Sequence, residues 1–312
     1  LASSDPRLPA GFAARPAAIA DLHDLDALYR RSDLALGVRP ESRRPFFGWW
    51  WSQPYMDLRR DSRVVLEGDR IVAAAMGSRE GAAYTFYEAT GRVDPEHLAR
   101  GLGAWLLAWL DGAAAARGAS RVRTSCPAED GAAAGLFRTA GYEHVRSAWD
   151  MGVSIRGDER APLPPEGVQI RPFRSGAEER DLWRVLTVSF RDHWDHEADM
   201  SFEGFVSAWF GDPTDPPVVW MASDRDRPVG ELGWIHVPEG AYVISVGVLP
   251  EHRGRGIATA LLRTAISDMA RRGIGDVSLS VDAENPTGAV KAYERVGMTV
   301  RRRNHVYHRE LA

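Results

Sequence analysis

Cysteine and lysine are almost missing from this sequence, which holds one of each, Cys126 and Lys291. A lone thiol closes no disulfide within the chain and cannot supply the cysteine ligands of a structural zinc site. The lysine deficit sits beside abundant arginine, alanine and glycine, a pattern we read as codon usage in a GC-rich genome. No apolar stretch approaches the ~20 residues that a membrane-spanning helix needs. The opening LASSDPRLPAGFAARP has no basic stretch leading into an apolar core, so it is not read as a secretory signal, and the cytoplasm is the expected location. Charge of one sign is also lacking. A net charge of −4 and a pI near 6.2 leave no footprint for nucleic acid or an anionic membrane. The basic run RRRNH at 301–305 is explained by arginines on an exposed strand edge.

What is present is a globular composition, 44% hydrophobic and 26% charged, over a length that suits two domains. The chain also repeats itself. VDPEHLARGLGAWL at 93–106 matches VLPEHRGRGIATAL at 248–261, which sets His97 and His252 155 positions apart. Farther on, the pair Ala140-Gly141 matches Val296-Gly297 at a spacing of 156. A period this long is a duplicated domain and not a solenoid unit. The segment RGDERAPLPPEG, 156–167, is charged and proline-rich, which opposes both helix and sheet. The expected layout is a first domain over 1–155, a linker over 156–167 and a second domain over 168–312.

Each half reads as the same mixed α/β unit. In the second, a short strand at 168–174 precedes helices at 177–190 and 201–210, the latter capped by Ser201. Three strands follow, VVWMASD, PVGELGWIHV and AYVISVGV, the first two joined by an Arg-Asp-Arg turn. A long helix runs from about Gly256 to Arg272 with Leu261, Leu262, Ala265, Ile266 and Met269 on one stripe, and stops at Gly273. A strand at 276–281, a helix at 287–296 and a closing strand from Met298 complete it. The first half offers counterparts in RVVLEGD, RIVAAAMGS, AAYTFYEATGRV, LGAWLLAWLDGAAAARG, RVRTSC, GAAAGLFRTAG and YEHVRSAWDMGV. The aromatic run PFFGWWWSQPY at 45–55 is read as a buried helix or interface plug.

In both halves a strand ends in a glycine-containing turn that opens a long helix. The first turn of a helix presents unpaired N–H groups and the positive end of its dipole, and glycine lets an anion approach that backbone. In the second half Arg253 and Arg255 add charged donors. Two nucleotide motifs are excluded. A dinucleotide fingerprint needs a third glycine where Thr259 and Leu106 stand, and a P-loop needs a Gly-Lys pair that is absent.

The sequence Arg253-Gly254-Arg255-Gly256-Ile257-Ala258, with VGVLPEHRG before it and SVDAENPTGAVKAYERVGM after it, resembles the acyl-CoA pyrophosphate loop of the GNAT acetyltransferase superfamily. The match runs through the whole second half, and the first half resembles the same family by element order. The resemblance implies an α/β fold of two tandem GNAT-like domains, each a mixed, mostly antiparallel sheet flanked by helices. It implies an acyltransferase moving an acetyl group from acetyl-CoA, as co-substrate, to the primary amine of a small molecule by direct attack. The backbone of Arg253, Gly254, Arg255, Gly256, Ala258 and Thr259 would hold the pyrophosphate, and Val246 and Val248 the pantetheine arm at a splay between strands four and five. Tyr293 would protonate the leaving thiolate. Asn285 would contact CoA, or cap the helix that follows it. Glu231, a carboxylate on the third strand, is the first candidate for the base that deprotonates the amine.

RDHWDHEADM, 191–200, lies where the family builds its acceptor pocket, which makes Asp192, His193 and Trp194 candidate acceptor contacts. Tyr242 joins them, because a tandem member of the family carries a glutamate at that position. His193 and His196 have no matching ligand set elsewhere, so no metal is expected. The first copy departs from the pattern at Leu98 for Arg253, Ala99 for Gly254, Phe137 for Tyr293 and Asp130 near the place of Asn285. It is expected to be non-catalytic. A non-catalytic acyl-CoA-binding protein and an O-acyltransferase are the alternatives; no partner beyond the small-molecule amine is implied, and the oligomeric state is not encoded in these patterns.

Overall fold

The computed structural model describes residues 7–40, 42–80, 84–194, 196–211, 216–285 and 287–311. Residues 82 and 83, where the sequence starts a strand, and residue 195 of the 191–200 segment lie outside them. The elements run β1 (Ala13–Arg15), α1 (Leu22–Ala35), α2 (Arg44–Ser52), α3 (Leu58–Asp61), β2 (Ser62–Glu67), β3 (Arg70–Ser78), β4 (Phe86–Val93), α4 (Leu102–Ala116), β5 (Arg121–Pro127), α5 (Gly131–Thr139) and β6 (Glu143–Ser154). The same series follows as β7 (Val168–Pro172), α6 (Glu179–Phe190), α7 (Phe202–Phe210), β8 (Val218–Asp224), β9 (Arg227–Val237), β10 (Gly240–Val248), α8 (Ile257–Arg271), β11 (Asp276–Asp282), α9 (Ala289–Arg295) and β12 (Thr299–Glu310).

Two compact units emerge, Leu1–Ala148 with Arg302–Ala312, and Trp149–Arg301. Segment 156–167 belongs to the second unit. In the first unit the strand order is β1-β2-β3-β4-β5-β12, with β12 antiparallel to β5 from Asn304↔Pro127 to Glu310↔Arg121. In the second it is β6-β11-β10-β9-β8-β7. Among the described residues, β4 with β5 and β10 with β11 pair in parallel, while β1–β2, β2–β3, β3–β4, β5–β12, β7–β8, β8–β9 and β9–β10 are antiparallel. This is the mixed, mostly antiparallel α/β architecture read from the sequence.

Local chemistry sets the boundaries. Ser201 accepts a hydrogen bond from the Gly204 amide at 3.0 Å and so starts α7, as its position before FEGF suggests. The β8–β9 hairpin turns on Arg225 and Asp226, both left-handed at φ 46° and 66°. On α8 the stripe Leu261, Leu262, Ala265, Ile266 and Met269 is buried in one core with Leu232, Trp234, Val277 and Leu279. Full burial of each large side chain there contributes about 1.5–3 kcal/mol. The helix expected at 287–296 is shorter, Ala289–Arg295. Its first residues are diverted because Gly288 is left-handed at φ 77° and Asn285 Oδ1 accepts from the Thr287 amide at 2.9 Å. On α2, Phe47, Trp50 and Trp51 are buried in the first unit while Phe46 and Trp49 face out, so the aromatic run forms an amphipathic helix.

Candidate active site

β10 and β11 pair at Ala241↔Val277 and Tyr242↔Ser278, and past those positions the two strands part. A pocket opens at that point in the second unit. Its walls are Val246 and Val248 of β10, the turn and first residues of α8 (Arg253, Gly254, Gly256, Ala258, Thr259), Asn285, Thr287, Gly288 and Ala289, Tyr293 of α9, and the end of α6 with Ser189, Asp192 and His193. Gly254 and Gly256 are left-handed at φ 76° and 82°, a conformation that L side chains seldom adopt. Both line the pocket together with Ile257, Ala258 and Thr259, so the pocket borders the first turn of α8, whose amides lack helical partners and whose dipole favours an anion.

The two arginines of the turn take different roles. Arg253 lines the pocket while its guanidinium donates to the Val248 carbonyl at 3.1 Å, the Ser189 carbonyl at 2.9 Å and the Asp192 carboxylate. It ties the end of α6 to the end of β10. The same contact holds the Asp192 carboxyl below the usual carboxylate range. Arg255 turns away to Asp224 at 2.6 Å and is not among the lining residues. Asn285 lines the pocket, and its Oδ1 accepts from the Thr287 amide in the turn before α9; it does not cap that helix, whose N-cap is Gly288. His193 is in the wall; Trp194, beside it at 6.2 Å between rings, is not.

Glu231 and Tyr293 are the two titratable candidates, and each sits in a buried setting. The register of β9 on β10 pairs Glu231 with Gly247 and Gly233 with Ser245, so these four share one sheet face. α6 and α7 cover that face: the β-carbon of Ser189 and the indole of Trp209 stand against Gly247 and Gly233. The opposite face, with Leu232 and Val246, packs on α8. Glu231 is fully buried, with Oε2 accepting from the Ser245 hydroxyl at 2.8 Å. Burial pushes its carboxyl up to about 8, against the pull of the Ser245 hydroxyl and the Gly247 amide. Tyr293 is 8% exposed, and burial, with the charge of Glu231, pushes its phenol up to about 12. A carboxylate titrating near neutrality, within electrostatic reach of a phenol that stays protonated, suits taking one proton and giving another.

Gly247 makes room for this carboxylate. A β-carbon there would lie 2.7 Å from Glu231 Oε1 and 3.0 Å from the Ser189 β-carbon. Gly247→Ala should therefore lower stability by about 1–3 kcal/mol, as overpacking does. Denaturant unfolding reads this directly, and an unchanged midpoint would mean that Glu231 does not occupy that space.

Ser189, Ser245 and Gly247 were not singled out from the sequence. The reason is the bulge between Val243 and Ser245, which moves Ser245 from the α8 face, where strict alternation would put it with Val243, onto the face of Glu231. Tyr242 shares that face but pairs with Ile235, four residues along β9 from Glu231, and is not in the pocket wall. Among the described residues, carboxylate and imidazole atoms with metal-ligand spacing gather at Asp94, Glu96 and His97 of the first unit. There Asp94 is already engaged by Arg31 and Arg70 at 2.9 Å.

The first unit keeps the shape of the turn and loses its contents. Ala99 stands at the position of Gly254 and is held left-handed at φ 58°, which costs an alanine about 1 kcal/mol. Gly101 repeats the φ of 82° seen at Gly256. Leu98 replaces Arg253 and is 53% exposed. In β3 and β4 the register that pairs Glu231 with Gly247 pairs Ala74 with Arg92. Phe137 packs against Tyr142 and Tyr307, and Asp130 caps α5 by accepting from the Ala133 amide at 2.8 Å. Leu136 stands where the second unit has Ala292, with its δ-carbon 2.7 Å from where a β-carbon on Gly103 would be. Gly103 and Leu136 thus close together, whereas their counterparts Ala258 and Ala292 flank an open pocket.

Comparison with known proteins agrees with this geometry. The model of the acetyltransferase (GNAT) family matches the chain twice, at residues 22–142 and 179–298. A mycothiol acetyltransferase from Geodermatophilus obscurus is 31% identical over 296 residues, covering 88% of this chain and 89% of its own. Another, from Kocuria rhizophila, is 28% identical and covers 88% of this chain and 91% of its own. A GCN5-related N-acetyltransferase from Sphaerobacter thermophilus superposes over 98% of this chain and 97% of its own, with a TM-score of 0.83 and 29% identity. A tandem GNAT protein from the clavulanic acid biosynthesis pathway shares the fold at a TM-score of 0.75 and 17% identity, over 96% of this chain and 99% of its own.

Proposed function

Because the chain belongs to the GNAT acetyltransferase family and is an acyltransferase, we propose that its second unit moves an acetyl group from acetyl-CoA to the primary amine of a small molecule. The observation that carries this reading is the position of the glycine turn. It opens α8 at the point where β10 and β11 separate, with Tyr293 on the facing wall.

The amides from Arg253 to Thr259 receive the pyrophosphate, and the edge of β10 at Val246 and Val248 receives the pantetheine arm. The thioester then lies between Tyr293 and the α6 side of the pocket. Glu231 takes the proton that an ammonium must lose before it attacks. A backbone amide near Val246 stabilises the oxyanion, an effect worth roughly 3 kcal/mol. Tyr293 donates to the departing thiolate. Asp192 and His193 meet the acceptor from the end of α6, and no metal takes part in this scheme. The first unit acts as a scaffold, since it carries alanine, phenylalanine and leucine where the second has Glu231, Tyr293 and Ala292.

The acceptor class rests on the relatives named mycothiol acetyltransferase and on a pocket sized by side chains from one unit. The test is release of free CoA thiol from acetyl-CoA on adding ethanolamine, glucosamine, S-methylcysteine amide or glycylglycine. Thiol release that depends on one of these amines, with an acetylated product by mass, is the expected result. Acetyl-CoA binding with no turnover on any of them would favour the non-catalytic alternative.

A further inference from the structure

Glu231 is not part of the pocket wall, so a proton from the acceptor has to reach it through something that is. Ser189, at the C-terminal end of α6, lines the pocket and is 7% exposed. Its Oγ is buried without a hydrogen-bond partner among the described residues, and so is Glu231 Oε1. The other carboxylate oxygen, Oε2, is already taken by the Ser245 hydroxyl. The two orphaned oxygens converge on one spot. The point where a β-carbon on Gly247 would sit is 2.7 Å from Oε1 and 3.1 Å from the Ser189 Oγ. The two oxygens are therefore no farther apart than those two distances together, a gap that one water bonded to both can span. Arg253 fixes the backbone at this point, through its bond to the Ser189 carbonyl at 2.9 Å.

We propose that Ser189 is the proton relay of this site, passing the acceptor's proton from the pocket to Glu231 Oε1 through its hydroxyl and one bridging water. The inference rests on the reading of Glu231 as the base. The ammonium N–H bond breaks as Ser189 Oγ takes that proton and releases its own toward Glu231, which becomes a neutral carboxylic acid. The freed nitrogen lone pair forms the C–N bond and the C–S bond breaks. Tyr293 protonates the thiolate and recovers its proton from the second N–H of the amine. Glu231 returns its proton to solvent, so one ammonium and one acetyl-CoA give one amide, one CoA thiol and one proton. The groups that face Glu231 are Ser245 and Gly247 of β10 and Ser189 of α6, and Tyr293 of α9 is near enough to feel its charge.

The experiment compares Ser189→Ala, Ser189→Thr and Glu231→Gln in the full chain, using the most active amine of the panel above. Ser189→Ala deletes only an unpartnered hydroxyl and leaves the β-carbon against Gly247, so the fold should survive, as a melting curve will show. The expected result is a kcat loss on the order of 10- to 100-fold, an unchanged acetyl-CoA Kd, and an altered solvent deuterium isotope effect. Threonine, which keeps the hydroxyl, should restore most of the rate. If Ser189→Ala turns over normally while Glu231→Gln is impaired, the relay is wrong and the base stands. If alanine and threonine lose rate equally with the isotope effect unchanged, Ser189 is only packing, and the proposal falls. A fully active Glu231→Gln removes the base itself and the relay with it.

Discussion

Glu231→Gln should lower kcat by about 100- to 10,000-fold, the range that loss of a general base covers, while acetyl-CoA affinity stays the same. The separation of the two effects follows from where the residue sits. Glu231 faces α6 and α7, on the side of the sheet opposite the glycine turn and α8. It is also held largely neutral at pH 7 by burial, so glutamine matches its shape and polarity in the resting fold. The wild-type rate should rise with pH along a limb near 8, since the base form appears only as that carboxyl ionises. An acceptor amine of low pKa keeps its own titration out of that window. Stability moves the other way. In the unfolded chain the carboxyl ionises near 4.5 and in the folded protein only near 8, so the folded state binds more protons between those values. Raising the pH from about 4.5 to 8 should therefore erode stability, and the glutamine variant should lack that loss. A variant that keeps both the rate and the pH limb would show that Glu231 handles no proton.

Tyr293→Phe should cost about 100-fold or more in kcat, the lower end of what general acid help supplies, with little change in acetyl-CoA Kd. The phenol is protonated throughout the working range because burial and the nearby Glu231 charge push it up to about 12. Removing the hydroxyl leaves the ring, which belongs to the same buried core of the second unit as Ala292 and Met298. The loss should shrink when a thioester with a more acidic leaving thiol replaces acetyl-CoA, because a better leaving group needs less protonation. A uniform loss across thioesters would assign Tyr293 to packing. The first unit carries the same substitution naturally at Phe137, which is buried among Tyr142 and Tyr307.

Much of this was legible from the residues. Glycine and proline punctuate the chain so clearly that the strand at 218–224 and the long helix of each half fall within a residue or two of the sequence reading. The duplication was visible because both copies keep the PEH lead-in and the glycine of the turn. The glycine turn was visible because left-handed torsions at Gly254 and Gly256 favour glycine. What sequence patterns could not give was the neighbourhood of Glu231. The bulge at Ser245 inverts the alternation of β10, and Ser189 arrives from a helix some forty residues upstream. Arginine charge was equally opaque. Arg253 and Arg255 look alike in HRGRGIATAL, yet one joins α6 to the pocket and the other is bound to Asp224. The divergence of the first copy also runs deeper than its loop, since the alanine at the place of Glu231 appears only when the strand register sets Ala74 opposite Arg92.

Calorimetric titration of the full chain with acetyl-CoA tests the central claim, that one of two like-shaped turns works. One equivalent should bind per chain. Arg253→Glu, which places a carboxylate in the pocket and releases Ser189 and Asp192, should abolish the binding. Arg100→Glu, in the first turn, should leave it intact, with melting curves showing that both variants fold. Two equivalents per chain, or binding that survives Arg253→Glu and is lost with Arg100→Glu, would contradict the assignment of the active site to the second unit.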